Sequence, residues 1–312
     1  MGIILTLQGK KSKTQPSTLT VYAAILDVSI ALLIIIFVMP LLGYDVYGTL
    51  ENMLTEFKKN YWIYVPLGAY GLWRWSVWIF KKTAGQFYSP IHPTIPPYSS
   101  TMTIITPVYR ENPNIFGTAL MSWDQNRPDE LIAVIDHTDT ECIRIFREFS
   151  LDRPWAKLIT RKPGKRTALA DGIRAAKGSI IALTDSDTIW SPNVKEKMLS
   201  PFRRPEIGGV TTRVHPISRV TIWQKMTDIF WDIRNFYDLP SQTAIGESLS
   251  CLSGRTSLYR RSIIVPKLDL FLNETILNKK KESGEDKCLT RLIQSEGWKT
   301  YYQSNAIIYS SA

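Results

Sequence analysis

Cysteine and histidine are both scarce in this chain of 312 residues, with three of each. The cysteines (Cys142, Cys251 and Cys288) are odd in number and far apart, and the histidines are equally scattered. This spacing matches neither a disulfide framework nor a set of metal ligands. It favours a reducing compartment for the part of the chain that carries the cysteines. Internal repeats and low-complexity tracts are also missing from the sequence.

The composition is that of a folded protein. Charged residues make up 21% of the chain and hydrophobic residues 44%, which is ordinary for a globular protein. The formal net charge of +10 indicates an anionic partner. Nucleic acid, phospholipid headgroups and nucleotide phosphates would all satisfy that charge, so charge by itself does not select among them.

Long apolar runs are confined to the N-terminal third. Residues 21–44 contain a single charge, Asp27, and residues 61–80 contain only Arg74. Each stretch is close to the ~20 residues that a helix needs to cross a bilayer, so the sequence predicts two transmembrane helices. The tryptophans and tyrosines of the second stretch also suit a helix lying in the headgroup interface. Lysines on the outer side of each helix favour placing both ends of the pair in the cytosol.

The domain organisation follows from these helices. We expect residues 1–98 to form a cytosolic N-terminal tail, the two membrane helices and a proline-punctuated linker, and residues 99–312 to form a cytosolic domain. In the second part β-rich runs such as "TMTIITPVY", "LIAVID" and "SIIALTDSD" alternate with helical patterns such as "GKRTALADGIRAAKG". This order predicts an α/β fold with a parallel sheet covered by helices. Ligands of such sheets bind at the carboxyl ends of the strands.

Asp185 and Asp187 end one of the predicted strands. Because strand side chains alternate, both carboxylates should point to the same side, ~5–6 Å apart. At an effective dielectric near 20 they repel each other by about 3 kcal/mol, and a bound divalent cation reverses that repulsion. Gly164, Lys165 and Arg166 open a helix just upstream, where backbone N–H groups and two cations favour phosphate oxygens. A solvated turn explains either feature taken alone, whereas the two together indicate a nucleotide-diphosphate site with a metal.

Two further stretches predict helices. In "SGEDKCLTRLIQSEGW" the residues Glu285 and Asp286 occupy the first turn, where acidic residues are favourable against the helix dipole. Leu289, Leu292 and Ile293 form the apolar face of that helix. The aromatic stretch at residues 220–237 is consistent with a helix on a membrane surface and with a buried core helix.

Six segments, taken in order, resemble a known family. They are "ITPVYRENP", "VIDHTD", "GKRTALADGI", "TDSDTIW", "CLSGRTSLYRR" and "GEDKCLTRLIQSEGWKTYYQSNA". They are similar to the membrane-embedded, processive family 2 glycosyltransferases, above all to hyaluronan synthases, with cellulose and chitin synthases as relatives. The resemblance covers nearly all of residues 100–312 and, with its two preceding membrane helices, implies a multi-pass protein of the cell membrane.

The resemblance also implies a fold and an activity. The fold would be of the GT-A type, a Rossmann-like, mostly parallel sheet with helices on both faces. The reaction would be an inverting transfer of a sugar from a UDP-sugar to a growing polysaccharide, with Mg²⁺ or Mn²⁺ as cofactor. The implied partners are the donor, the polysaccharide and the lipid bilayer, and no nucleic acid.

Roles follow by position from the resemblance. Tyr109 corresponds to the residue that stacks on uracil, with Glu111 beside it and Asp136 contacting the uridine. Lys165 and Arg166 would lie near the diphosphate.

The remaining positions concern the metal and the acceptor. Asp185 and Asp187 match the metal motif of the family, with Asp187 as the direct ligand. Asp286 matches the general base that takes the proton of the acceptor hydroxyl. The acceptor side would be formed by Cys251, Ser253, Gly254 and Glu285.

Two features depart from the family. A Gln-x-x-Arg-Trp motif and channel helices, expected after the last strand, do not occur up to Ala312. Arg255 and Thr256 stand where the family usually has small or apolar residues. We therefore expect polymer synthesis to require a further segment, supplied by a longer chain, a homo-oligomer or a second chain.

The sequence leaves three other functions open. One is the transfer of a single sugar to a lipid phosphate without processivity. Another is a nucleotide-sugar-binding part of a split synthase. The third is a phosphatase in which the first Asp of Asp-x-Asp is the nucleophile, although Ile189 stands where that motif has Thr.

Overall fold

The computed structural model describes residues 38–276, 279–280 and 284–311. The chain divides into two compact units, Met1–Trp78 and Ile79–Ala312. Most of the predicted membrane helix at residues 21–44 lies outside the described residues.

Two helices open the described chain, α1 (Met39–Leu41) and α2 (Val46–Gly85). Helix α2 is interrupted at Asn60, whose φ of −118° and ψ of 22° are not helical. The predicted transmembrane helix at residues 61–80 falls in the part of α2 after this interruption. Between Val38 and Ser311, wherever the structure describes the chain, no helix is both long enough and apolar enough to span a membrane. The structure therefore does not support the predicted transmembrane helix at residues 61–80, because tryptophan, tyrosine and Arg74 dilute the aliphatic residues of that stretch.

The described residues of the second unit form ten strands. Eight of them form one sheet, and β8 pairs only with β9. Their bounds are β1 (Met102–Val108), β2 (Glu130–Asp136), β3 (Ala156–Arg161), β4 (Ile180–Thr184), β5 (Ile189–Trp190), β6 (Ile207–Pro216), β7 (Thr256–Arg260), β8 (Thr275–Ile276), β9 (Lys279–Lys280) and β10 (Lys299–Ser310).

Nine helices accompany these strands in the described part of the unit. They are α3 (Pro113–Gln125), α4 (Thr140–Ser150), α5 (Lys165–Ala175), α6 (Val194–Leu199), α7 (Ile222–Ile233), α8 (Leu239–Gly246), α9 (Arg261–Ile264), α10 (Leu268–Leu272) and α11 (Glu285–Gln294). Short 3-10 turns lie at Ser200–Arg203 and Val265–Lys267, and a π-helical turn at Arg234–Asp238 follows α7.

The sheet has the order β3-β2-β1-β4-β7-β6-β10-β5. The first four strands are parallel, β7 is antiparallel to β4 and β6, β10 is parallel to β6, and β5 is antiparallel to β10. The sheet is therefore mixed: six of its eight strands run in one direction, which agrees with the predicted mostly parallel sheet, and β7 and β5 run against them. The reversal matters for the site, because it brings the beginning of β7 to the carboxyl end of β4.

Helices cover both faces of the sheet, as predicted. Ile104 and Ile180 pack into one core cluster, together with side chains of α3 and α4. Their chain neighbours Ile105 and Ile181 pack into the other cluster, with α5 and α11. This alternation follows from the period of two along a strand.

The predicted helices around the site form where the sequence places them. Helix α5 begins after Gly164, whose φ of 147° suits glycine, and buries Leu169 and Ile173. Helix α11 buries Leu289 and Ile293. Local periodicity was therefore a sound guide to both helices.

The proline-punctuated segment before β1 is not a free linker. The Tyr88 hydroxyl donates to the Tyr302 carbonyl at 2.8 Å, and the Ile91 amide donates to Gln303 Oε1 at 3.1 Å. The segment is thus attached to β10, far along the chain.

Candidate active site

A cleft of about 530 Å³ opens at the carboxyl ends of β1, β2 and β4. A narrower recess adjoins it, and Lys165 and Asp185 line both. The predicted site residues in the wall of the cleft are Tyr109, Glu111, Asp136, Lys165, Asp185 and Asp187. Those in the wall of the recess are Lys165, Asp185, Gly254, Glu285 and Asp286. The structure therefore brings together nine of the predicted residues, from six separate segments of the chain.

The loop after β1 supplies an aromatic face. Tyr109 is 53% exposed, and the Arg110 guanidinium lies 5.2 Å from the centre of its ring. Beside it, Glu111 Oε2 accepts a hydrogen bond of 2.6 Å from Ser186 Oγ. An open tyrosine ring of this kind can stack on a flat ligand such as a nucleobase.

Asp136 closes the cleft at the end of β2. Its Oδ1 accepts from the Thr138 amide at 2.8 Å and from Thr138 Oγ1 at 2.9 Å. The amide of Thr138 is the main reason that the pKa of this carboxyl lies below its ordinary value. Asp136 Oδ2 is buried and has no hydrogen-bond partner among the described residues. Asp136 is thus an ionised acceptor with one oxygen available to a ligand donor.

Lys165 joins two acidic segments. Its Nζ lies 2.8 Å from Asp185 Oδ1 and 2.7 Å from Glu285 Oε1. Burial works against the charge of Lys165, but the two carboxylates outweigh it and raise the lysine pKa. Burial also opposes the charge of Glu285, yet Lys165 lowers the pKa of that carboxyl.

Asp185 behaves differently from Glu285, although both contact the same ammonium. Burial, reinforced by the charge of Asp187, outweighs Lys165 and raises the pKa of Asp185. A divalent cation would offset both effects by neutralising the two aspartates together.

Asp187 is held by the end of β10. Its Oδ2 accepts from Ser310 Oγ and from the Ser311 amide, both at 3.1 Å, and also from Ser311 Oγ. Its Oδ1 receives only a long contact of 3.4 Å from Thr188 Oγ1. Sequence reasoning missed both serines, because no local pattern links them to Asp187. The only available signal was their position at the end of a strand in the same sheet.

The two aspartates fit a divalent metal. Lys165 occupies Asp185 Oδ1 and the serines occupy Asp187 Oδ2, so each carboxylate keeps a second oxygen. Carboxylate oxygens beside a polar cleft are the hard ligands that Mg²⁺ and Mn²⁺ prefer.

Gly254 separates the metal motif from the acidic helix end. A Cβ atom on Gly254 would lie 3.8 Å from Asp286 Oδ2 and 4.0 Å from Asp185 Oδ2. The glycine therefore leaves open a space that both carboxylates border. That space has room for a small polar group, such as a hydroxyl.

Two predicted acceptor residues support this segment from behind. Cys251 and Ser253 are buried, and neither lines the cleft or its recess. The Ser253 amide donates to Thr211 Oγ1 at 3.0 Å. Burial, followed by the charge of Asp286, raises the pKa of the Cys251 thiol to about 12. Cys251 is therefore a neutral packing residue at physiological pH.

Arg166 was predicted near the diphosphate, and the structure places it elsewhere. Its guanidinium donates to the Phe271 carbonyl at 2.8 Å and pairs with Glu274 at 2.5 Å, and its side chain is 6% exposed. Successive residues of a helix point about 100° apart, so Lys165 and Arg166 cannot both face the cleft. The role of Arg166 is to tie α5 to α10 and the residues after it.

Residues 99–311 match the family described as "Glycosyltransferase like family 2". A hyaluronan synthase of Streptococcus pyogenes is 28% identical over 250 residues, covering 77% of this chain and 59% of the relative. An N-acetylglucosaminyltransferase of Azorhizobium caulinodans is 27% identical over 218 residues, covering 68% and 55%. The chain thus spans little more than half the length of these curated relatives.

Two solved structures share the fold. A mannosyltransferase, PcManGT from Pyrobaculum calidifontis in complex with GDP-Man and Mn²⁺, has a TM-score of 0.53 at 18% identity and covers 75% of this chain and 64% of that one. GalNAc-T7 with UDP, GalNAc and Mn²⁺ has a TM-score of 0.50 at 12% identity, covering 68% and 43%. At these identities the likeness establishes a GT-A-like fold.

Proposed function

The chain belongs to the glycosyltransferase-like family 2, and we propose that it transfers a sugar from a UDP-sugar to an acceptor hydroxyl with inversion at the anomeric carbon. The observation that carries the proposal is the meeting of two acidic pairs. Asp185 and Asp286 border the space left by Gly254, and each has a second carboxylate close by in the chain, Asp187 and Glu285.

The cleft supports a nucleotide diphosphate as donor. The ring of Tyr109 is open for stacking on the base, and Asp136 Oδ2 can accept an N–H of uracil or a ribose hydroxyl. Lys165 supplies a cation for the phosphates at the start of α5, a helix end that no side chain caps. Asp185 and Asp187 would hold Mg²⁺ or Mn²⁺, which supplies a positive charge for the departing diphosphate.

The acidic helix end supports the acceptor side. Asp286 Oδ1 already accepts from the Lys287 amide at 2.8 Å, which orients the carboxylate at the start of α11. Asp286 would take the proton of an acceptor hydroxyl. The hydroxyl oxygen then forms the new bond to the anomeric carbon, while the bond to the UDP oxygen breaks and its electron pair leaves with UDP. A single displacement of this kind inverts the anomeric configuration.

We further propose a polysaccharide as acceptor, because hyaluronan synthases are among the relatives. Repeated addition by the whole protein is part of this proposal. Transfer of one sugar to a lipid phosphate is the alternative, and the length of the labelled product on a gel distinguishes the two.

Helix α7 supports contact with a membrane surface. One of its faces carries large apolar side chains that are 47% to 74% exposed, while Trp231 on the opposite face is buried. A face of this kind fits the boundary between headgroups and acyl chains. The exposed residues are Ile222, Trp223, Met226, Ile229, Phe230 and Ile233.

Metal-dependent donor binding tests the proposal. We expect UDP to bind the purified chain in the presence of Mn²⁺ and to lose most of its affinity when EDTA is added. Asp187→Asn should abolish the metal dependence, whereas Asp129→Asn, outside the cleft, should preserve it. Calorimetry that detects no UDP binding with Mn²⁺ present would overturn the assignment of the cleft.

A further inference from the structure

A buried hydrogen-bonded relay connects Arg255 to Asp187. Arg255 Nε donates to Ser310 Oγ at 3.1 Å, and Ser310 Oγ donates to Asp187 Oδ2 at 3.1 Å. Ser310 is 1% exposed, so water has little access to its hydroxyl. The hydroxyl accepts on one side and donates on the other, which fixes the direction of both bonds.

The guanidinium that starts the relay is itself held in place. It lies 4.5 Å from the ring centre of Trp231 in α7. The Arg255 carbonyl accepts from the Asp185 amide at 3.2 Å and from Thr184 Oγ1 at 2.8 Å. These bonds continue the antiparallel pairing of β4 with β7, in which Thr184 opposes Thr256. Arg255 is therefore anchored to the strand end that carries the metal motif.

The charge of Arg255 has no counterion within the part of the chain that the structure describes. Its guanidinium forms no salt bridge there, although the residue is half-buried. A partly desolvated cation in this position polarises the Ser310 hydroxyl towards Asp187.

We infer that Arg255 and Ser310 are positioning residues for the divalent cation, acting through the orientation of Asp187. Ser310, which accepts from Arg255, occupies Oδ2 together with Ser311, so that Oδ1 is the oxygen left for the metal. Without the relay, the carboxylate can rotate and present either oxygen. The inference rests on the proposed function, because it concerns the metal of that same site.

The relay accounts for Arg255 at a position where the sequence departs from the family. It also gives the end of β10 a role in the site. Outer hydrogen bonds that orient a metal ligand commonly change metal affinity by about 10- to 100-fold when they are removed. We expect the loss here to lie near the lower end of that range, because the Ser311 amide still donates to Oδ2.

The experiment measures Mn²⁺ binding itself, by the electron paramagnetic resonance signal of free Mn²⁺ during titration of the full chain. The variants are Ser310→Ala, Arg255→Gln and the double variant. Ser310→Thr keeps the hydroxyl and is expected to restore affinity, while Arg255→Lys, which keeps the charge but loses the planar donor, should be intermediate. Lys225→Gln removes an exposed charge from α7 and serves as the control.

We expect each single variant to bind Mn²⁺ about tenfold more weakly than the unaltered chain. The double variant should lose no more than either single variant, because both changes break the same relay. Uridine, which needs no metal, should bind all variants equally and so report an intact cleft.

Three outcomes would overturn the inference. The first is an unchanged Mn²⁺ affinity in Ser310→Ala and Arg255→Gln. The second is a loss of Mn²⁺ affinity in the double variant that equals the sum of the two single losses. The third is a parallel loss of uridine binding in both conservative variants, Ser310→Thr and Arg255→Lys. A chain without substitutions that binds neither UDP nor Mn²⁺ would instead refute the proposed function. The two failures are therefore distinguishable.

Discussion

Asp185 and Glu285 share one ammonium group, since Lys165 Nζ lies 2.8 Å from the first and 2.7 Å from the second. One carboxylate follows a central strand, and the other opens a helix much later in the chain. Lys165 thus joins the metal motif to the acidic end of α11. It also prevents the two acidic segments from repelling each other.

Removing the ammonium group of Lys165 should weaken donor binding more than removing that of Lys162, which lines the same cleft. We expect Lys165→Met to weaken binding of UDP with Mn²⁺ by about 10- to 100-fold, since it deletes charge-assisted bonds and leaves two carboxylates uncompensated. Lys162→Met removes an equal charge from the same cleft and breaks no salt bridge to a described residue. Lys162→Met should therefore weaken UDP binding several-fold less than Lys165→Met does, as measured by calorimetric titration in the presence of Mn²⁺. Equal losses of UDP affinity in the two variants would mean that only the net charge of the cleft matters.

Asp286→Asn should separate catalysis from binding. The oxygen of the new amide can still accept from the Lys287 amide, and the side chain fills the same volume, so UDP affinity and the melting temperature should stay close to those of the parent. Turnover should fall by about 10²- to 10⁴-fold, the usual contribution of a general base. Asp269→Asn is the control, because Asp269 is exposed and lies outside the cleft. Turnover within a few-fold of the parent would leave Asp286 only its role at the helix end.

Gly254→Ala should affect the acceptor without unfolding the chain. The new methyl group would make ordinary contacts of 3.8 to 4.0 Å with Asp286 and Asp185, so the fold should tolerate it. It would, however, fill the space between the two carboxylates. We expect a higher KM for acceptor and a lower kcat, with UDP affinity within about twofold of the parent. Normal acceptor kinetics would show that the acceptor does not enter this space.

The apolar face of α7 predicts binding to lipid. The double variant Trp223→Ser with Phe230→Ser should lower sedimentation with anionic phospholipid vesicles by at least about tenfold, because two large side chains no longer enter the bilayer. Leu151, the residue that follows α4, has a side chain that is 81% exposed, and Leu151→Ser should leave vesicle binding unchanged. Equal vesicle binding by both variants would contradict a specific role for α7.

Glu130 predicts a pH-dependent contribution to stability. It accepts from Thr103 Oγ1 at 2.7 Å and from the Lys177 amide at 2.8 Å, and it pairs with Lys157. Burial opposes its charge, but these donors outweigh burial and lower its pKa. A lowered pKa in the folded state stabilises the fold above the ordinary glutamate pKa, and this stabilisation is lost as pH falls through the folded value.

Glu130→Gln should therefore lower the free energy of unfolding by about 2 kcal/mol at pH 7, measured by urea denaturation. The difference between variant and parent should shrink steadily below about pH 4. Glu148→Gln, on an exposed surface pair, should change stability by less than about 0.5 kcal/mol at either pH. A pH-independent loss in Glu130→Gln would show that shape, and not charge, explains the effect.

Local pattern was sufficient for much of this site. Short runs rich in apolar and β-branched residues predicted β1, β2 and β4, and residues just past their ends, such as Tyr109 and Asp187, meet at one edge of a parallel sheet. A period of 3.6 with a preceding glycine defined α5 and α11, and so placed Lys165 and Asp286 at helix starts.

Other features depended on the order of strands, which no local pattern encodes. The antiparallel β7 brings Arg255 opposite Asp185, and β10 brings Ser310 to Asp187, across long separations in sequence. Arg166 faces away from the cleft because only one side of α5 fits against the sheet. Periodicity reflects neighbours along the chain, whereas contacts between distant segments form only when their apolar faces pack together, so the tertiary structure alone decided how the Asp187 carboxylate is held.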